Sequence, residues 1–291
     1  MSIVWALAVA LLTTPARGLA EPPAAAGENP PERIVSLTPS VTETLFALGI
    51  GARLVGVSDY CDFPPAAAVL PRVGTFLQPV IEQVIHLQPD LVLTSPSPGN
   101  KNAVQAIERA GCRVAVVSEG SGSIEDVRES IRQTAAAVGR GEQGAVLVGA
   151  IERALDGVRR KVEGRGRPST IVVIGFEPLV LAGPASYLGE LVEIAGGANI
   201  AAVQGGKWPR VGWEFLLAST PEVILDLTAA MDGGEATAHA RWSRFSDIPA
   251  VASGRVVVRT DQALLRPGPR LGEAAEIIAR AIHPEAWTPS D

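Results

Sequence analysis

GEQGAVLVGAIERALDGVRRKVE, residues 141–163, is the stretch on which the reading of the fold turns. Its apolar residues Val146, Ile151, Ala154, Leu155, Val158 and Val162 recur at helical steps, while Glu152, Arg153, Arg159, Arg160 and Lys161 fill the opposite face. The pattern predicts one helix of about six turns. Gly139 and Gly141 mark its start, and Gly164, Gly166 and Pro168 follow its end, so breakers stand at both ends. Taken alone, such a helix equally describes an ordinary crossover inside one domain. The decision comes from what lies on each side of it, because the two halves of the chain read alike.

Towards the N-terminus, Ser123-Ile124-Glu125-Asp126 caps a helix that runs to Val138, preceded by a strand at 113–117. Before it come a helix ending at Gly111 and a strand at 91–94 that runs into Ser95-Pro96-Ser97-Pro98-Gly99. A helix at 78–88 stops at Pro89-Asp90, and a strand at 54–57 opens the aromatic loop Ser58-Asp59-Tyr60-Cys61-Asp62-Phe63-Pro64-Pro65. The first strand, 33–37, meets Ser40-Val41-Thr42-Glu43, which has the S-x-x-E form of a capping box. Towards the C-terminus the pattern restarts. A strand at 170–174, a loop with Phe176, a helix at 187–195, a turn-rich loop with Trp208, and a helix at 213–218 lead to strands at 223–227 and 255–259 and a last helix at 269–282. Alternating strands and helices imply parallel sheets with right-handed crossovers. The expected fold is therefore α/β, two Rossmann-like lobes with parallel sheets joined by one long α-helix. Its expected parts are 1–20 as a signal peptide, 21–138 as the N-terminal lobe, 139–165 as the connecting helix and 166–291 as the C-terminal lobe.

An internal echo supports two matching lobes. The segment from Glu82 through Pro89-Asp90 to Leu93 lines up with the segment from Glu214 through Pro221-Glu222 to Leu225. In each, an acidic residue opens a short helix seven positions before a proline, and an acidic residue and a buried strand follow. Both glutamates suit a helix N-terminus on dipole grounds. They also place one carboxylate at the matching point of each lobe, where a single partner would read both.

At 291 residues and 47% hydrophobic content the chain is long enough for two cores, and a formal charge of -6 argues against a nucleic-acid partner. Residues 3–12 form an apolar run too short to span a bilayer, and Gly18-Leu19-Ala20 suits cleavage after Ala20. The first residues, Met1-Ser2, carry no basic charge, which a misplaced start codon would explain. No cysteine follows the apolar run, so an exported, soluble, periplasmic protein is expected. Cys61 and Cys112 are the two cysteines. They flank predicted strands at opposite ends of a parallel sheet, roughly 15 Å apart, beyond the roughly 7 Å that a disulfide allows between α-carbons. Two unbridged thiols are expected.

Ligands of parallel sheets bind at the carboxyl ends of the strands. The loops at those ends carry Tyr60, Phe76, Phe176 and Trp208, which predicts a cleft lined by flat apolar faces. Arg266, in the loop after the last strand, is placed to aim a guanidinium into the same cleft. Catalytic chemistry has little support. His86, His239 and His283 are too scattered to converge on a metal and read as surface or interface residues, and the sequence contains no G-x-S-x-G elbow, P-loop or G-x-G-x-x-G. Trp242 and Phe245 read as core residues and Trp287 as a tail residue. An exported α/β enzyme using the same cleft is the competing class.

The order of RIVSLTPSVTETLFALG, VGVSDYCDFPP, VIEQVIHLQPDLVL, KWPRVGWEFLL and LLRPGPRL around a central helix resembles the periplasmic substrate-binding proteins of the long-helix type, which serve ABC importers of cobalamin, iron-siderophores and haem. The likeness spans about residues 32–284 and is greatest to the cobalamin binders. It implies a binding protein rather than an enzyme, with no cofactor or metal of its own, that carries cobalamin or a related corrinoid to an inner-membrane permease and its ATPase; a monomer is the default expectation. It sets Tyr60, Phe76, Phe176 and Trp208 against the corrin, puts Arg266 near its amide side chains, and makes Glu82 and Glu214 the carboxylates that dock the permease. Phe76 stands where a Trp is familiar in that family. Iron-siderophore or haem binding is the alternative within the same type.

Overall fold

The computed structural model describes residues 30–230 and 234–288, so the expected signal peptide at 1–20 lies outside the described residues. The N-terminal half contains β1 (Ile34–Ser36), α1 (Pro39–Ala47), β2 (Leu54–Val57), α2 (Pro65–Ala68), α3 (Ile81–His86), β3 (Leu91–Thr94), α4 (Lys101–Arg109) and β4 (Val114–Val116). Helices α5 (Ile124–Ala137) and α6 (Gly141–Val162) follow. The C-terminal half contains β5 (Ser169–Gly175), β6 (Val180–Leu181), α7 (Tyr187–Ile194), β7 (Ala198–Asn199), α8 (Trp213–Ser219) and β8 (Val223–Asp226). It is completed by α9 (Glu235–Trp242), α10 (Pro249–Ala252), β9 (Val256–Val258), α11 (Gln262–Leu265) and α12 (Leu271–Ile282).

Each half has its own sheet. The first is four-stranded and parallel in the order β2-β1-β3-β4. The second runs β6-β5-β8-β9, with β7 also on β5; β6 is antiparallel and the other pairs are parallel. Both faces of each sheet are covered, which is why the strands read as unbroken apolar runs. In the first sheet Val35 and Val92 join one core while Ile34, Leu91 and Leu93 join the other. In the second, Ile171, Val173 and Ile224 face one core and Val172, Val223 and Leu225 face the other.

The buried stripe of α6 is Gly144, Val148, Ile151, Leu155, Val158 and Val162, steps of four and three throughout. The expected stripe is corrected at two positions: Val146 is 69% exposed and Val148 takes its place, and Ala154 is exposed. Val146 and Ile151 are five apart, a step that falls off one helical face. Helix α5 packs along this link. Ile124, Val127 and Ile131 of α5 enter the C-terminal core with α6, α7 and α12, whereas Ala135 and Val138 at its far end enter the N-terminal core. The two helices lie close because Gly144 has no side chain; a Cβ there would sit 2.5 Å from that of Ala135.

A second correction concerns Ser40. Thr38 holds the N-cap position of α1 without a capping side-chain hydrogen bond, Pro39 is the first helical residue, and Glu43 does not fold back onto the helix N-terminus. Its side chain, 1% exposed, turns towards the other lobe. Arg270 donates from Nε to Glu43 Oε2 at 2.8 Å and from Nη2 to Oε1 at 2.7 Å, a bidentate pair, and Arg266 Nη1 lies 3.5 Å from the same Oε1. Arg266 also donates to Asp62, and the Arg270 guanidinium sits 4.0 Å from the Phe63 ring centroid. A second seam lies across the cleft. Gly122 O accepts from the Tyr187 amide at 2.5 Å and Glu190 Oε2 accepts from the Ile124 amide at 3.1 Å.

The internal echo is a repeat of local structure. Gln88 and Thr220, each just before a proline, adopt positive φ of 46° and 44°. Asp90 then accepts the Arg33 amide at 2.9 Å just before β1, and Glu222 accepts the Ser169 amide at 2.7 Å at the start of β5. In both lobes the acidic residue after the proline anchors the neighbouring strand, which gives the shared pattern a physical reason.

Three substitutions test these contacts. Gly144→Leu is expected to destabilise the protein by about 2 kcal/mol through overpacking against α5. Gly157→Ala, on the same helix with nothing within 4 Å of its would-be Cβ, is expected to stabilise by up to about 1 kcal/mol. Urea midpoints that moved in the same direction for both would contradict this packing. Glu43→Gln strands the Arg270 charge in a buried site, and a loss of about 3 kcal/mol is expected. A midpoint within experimental error of the parent would show that the clamp does not hold the lobes.

Candidate ligand-binding cleft

A cavity of about 580 Å³ opens between the lobes, within the size range of small-molecule sites. Its walls come from the carboxyl ends of both sheets. The N-terminal lobe contributes Ser40 after β1, Tyr60 after β2, Phe76 and Leu77 from the following loop, and Glu119 and Ser121 after β4. Ile174 at the end of β5, Tyr187 and Leu188 at the start of α7, Trp208, and Leu265 to Pro267 face them from the C-terminal lobe.

Backbone pairing aims the aromatic rings. Leu181 donates to Pro209 O at 3.0 Å and Gly183 to Lys207 O at 2.8 Å, so β6 extends as a ribbon along the loop that carries Trp208. The approach requires glycine at 183, where a Cβ would lie 2.4 Å from Gly206 O. Behind Trp208 stands Tyr187, edge to face at 6.1 Å, its hydroxyl donating to Leu264 O at 2.7 Å. Burial pushes the Tyr187 phenol pKa up, so it remains a donor. Opposite, Gly74 at φ 86° opens a tight turn in which Thr75 Oγ1 accepts the Gln78 amide at 3.0 Å, and Phe76 and Leu77 ride on its tip. Tyr60 presents an exposed ring to the cleft at 62% accessibility.

Of the expected ligand-facing residues, Tyr60, Phe76, Trp208 and Arg266 line this cavity together. Phe176 does not, and its placement there is corrected. It is 3% exposed, packed 5.0 Å from Trp213 and 5.4 Å from Trp242, with the Arg241 guanidinium 4.4 Å from its ring centroid. That aromatic core is anchored by Trp242 Nε1 donating to buried Asp226 at 2.6 Å. Phe176 follows a strand end like the other three, but the group that claims it lies behind the sheet. Arg266 reaches the cleft already engaged by Asp62 and Glu43, rather than as a free guanidinium. The hydrogen bond from Arg266, with its charge, holds the Asp62 carboxyl below the usual carboxylate range.

Glu82 and Glu214 are exposed in the first turns of α3 and α8, the helices of the repeated unit, one in each lobe. Sequence reasoning passed over Glu119, Tyr187 and the Glu43–Arg270 pair. Arg270 stands in the LLRPGPRL stretch already singled out, which was the available signal. Cys61 and Cys112 are free thiols, packed on opposite faces of the first sheet. Burial pushes the Cys61 thiol pKa up, and Thr42 and Ser58 hydroxyls lie 3.2 and 3.1 Å from its sulfur. The expected surface placement of His283 is corrected, since it is 3% exposed with Nε2 3.2 Å from Gly196 O. Trp287, read as a tail residue, donates to Glu276 at 3.2 Å and lies under Lys161 of α6. Among the described residues no group of three His, Cys, Asp or Glu side chains is arranged to hold a metal ion, and no helix is long and apolar enough to cross a membrane.

Comparison with known proteins agrees with this architecture. An uncharacterized ABC transporter substrate-binding lipoprotein of Bacillus subtilis is 29% identical over 263 residues, 88% of this chain and 82% of the relative. A vitamin B12-binding protein of Pectobacterium carotovorum is 28% identical over 254 residues, 87% of this chain and 88% of the relative. Among solved structures, a periplasmic haem-binding protein from Roseiflexus sp. RS-1 in apo form superposes with a TM-score of 0.75 at 27% identity, covering 88% of this chain and 99% of that one. Residues 34–263 match the family described as periplasmic binding protein, a span that holds both sheets, and the chain belongs to the periplasmic binding protein family.

Proposed function

We propose that this chain is the exported substrate-binding component of an ABC importer, that it carries cobalamin or a related corrinoid in the interlobe cleft, and that it has no enzymatic activity. The observation that carries the reading is the cleft lining. Tyr60, Phe76 and Trp208 offer flat faces from both lobes, the hydroxyls of Ser40 and Ser121 offer hydrogen bonds, and no histidine is among the lining residues. A large, flat, neutral ring system with an amide periphery fits such a surface. The vitamin B12-binding relatives support the choice. One observation favours haem as the second reading: the exposed Tyr60 phenol stands in the cleft where it would serve as an oxygen ligand to iron.

Delivery is assigned to Glu82 and Glu214. They are exposed at equivalent points of the two lobes, so one partner with two basic patches would read the spacing between lobes as well as the charge. Opposite charges of this kind steer encounter and fix orientation.

Calorimetry of the purified chain with cyanocobalamin is expected to show one site per chain with micromolar or tighter affinity, about -8 kcal/mol or better. Trp208→Ala should weaken it by at least ~10-fold, as loss of a central aromatic anchor does. Saturable binding of haem or a ferric hydroxamate instead would keep the import role and replace the cargo. The pair Glu82→Lys and Glu214→Lys is expected to leave corrinoid affinity intact and abolish uptake in vesicles holding the permease and its ATPase. Undiminished uptake would remove both glutamates from docking.

A further inference from the structure

We infer that Glu119 makes the cleft select a corrinoid whose periphery is fully amidated over one that carries carboxylates. The inference rests on the corrinoid reading above and concerns which member of that class is held.

Arg266 and Glu119 are the ionisable side chains of opposite sign that line the cavity. Arg266 has no charge to spare, because it contacts Asp62 and Glu43 while Arg270 takes both oxygens of Glu43. Two guanidinium groups thus face two carboxylates. An anionic ligand edge would have to displace Asp62 from a partner that already holds it ionised, or break the buried clamp between the lobes. Lys207, beside Trp208, lies 3.8 Å from Asp126 and is likewise answered.

Glu119 is different. It follows β4 at the carboxyl end of the sheet, is exposed, and accepts the Ser121 hydroxyl at 3.0 Å. Among the described residues it enters no ion pair, so its charge faces the ligand uncompensated. A primary amide has N–H donors for such an acceptor, whereas a carboxylate in the same place brings a second acceptor and a like charge. The Ser40 hydroxyl, elsewhere in the lining, can turn to either role and does not discriminate. The preference therefore lies in one side chain.

The test uses dicyanocobinamide, whose periphery is amidated, and dicyanocobyrinic acid, in which carboxylates replace those amides, each titrated into the purified chain. Cobinamide is expected to bind at least ~10-fold tighter, which is one tenfold step of affinity for one unfavourable contact. In Glu119→Gln the gap should shrink to about threefold or less, while Glu108→Gln, on the exposed face of α4, keeps the parental gap. Equal affinities in the parent chain, or an unchanged gap in Glu119→Gln with an unaltered thermal melt, would overturn the role of Glu119. If cyanocobalamin and both probes fail to bind, the corrinoid reading itself falls and this inference with it, an outcome distinct from binding without discrimination.

Discussion

A carboxylate buried in a protein interior needs partners that replace water, and Glu43 finds them in the other half of the chain. Its two oxygens are held by Arg270, with Arg266 alongside bridging to Asp62. Because α1 carries the acid and the segment before α12 carries both bases, the lobes cannot part at this edge without exposing unpaired charge. The opposite edge is stitched by backbone, through the Tyr187 amide on Gly122. Helices α5 and α6 close the remaining side by burying one continuous apolar surface. With three constraints around it, the cleft between the lobes is a formed cavity, and its rings are aimed before any ligand arrives. Small rocking motions, rather than wide hinge closure, follow from such a frame.

The periodic parts of this architecture were legible in the sequence. Strands with apolar residues on both faces, the 3.6-residue period of α6 and the repeated helix–proline–strand unit all express local rules, and they locate the sheets and the cleft. Even the slip at Val146 is local: the true stripe begins at Gly144, and a glycine on a buried face leaves no hydrophobic mark. The clamp was hidden for a different reason. Ser40 to Glu43 satisfies the letters of a capping box, yet the destination of Glu43 lies 227 residues away, and no spacing rule connects them.

Phe176 shows the same limit from the other side. Four aromatics at strand ends were equivalent on paper, and three of them reach the cavity. The fourth is taken by Trp213, Trp242 and Arg241, residues that come from α8 and α9 and meet only after the second sheet is assembled. Which side of a sheet claims a loop residue is decided by the shape of the neighbouring core, and that shape is a property of the whole lobe. The short elements β6 and β7 escaped for a related reason, since two paired residues are too few to carry a period.

The ribbon that presents Trp208 has a consequence of its own. Leu181 and Gly183 hold residues 207–209 by their main chains, so the position of the ring is written in peptide groups and in the glycine at 183 rather than in the identities of its loop neighbours. Such a mount is indifferent to what it carries. A Tyr, Phe or His exchanged for Trp208 would arrive at the same point in space, and the lining of the cavity could be changed one residue at a time while the fold stays as it is.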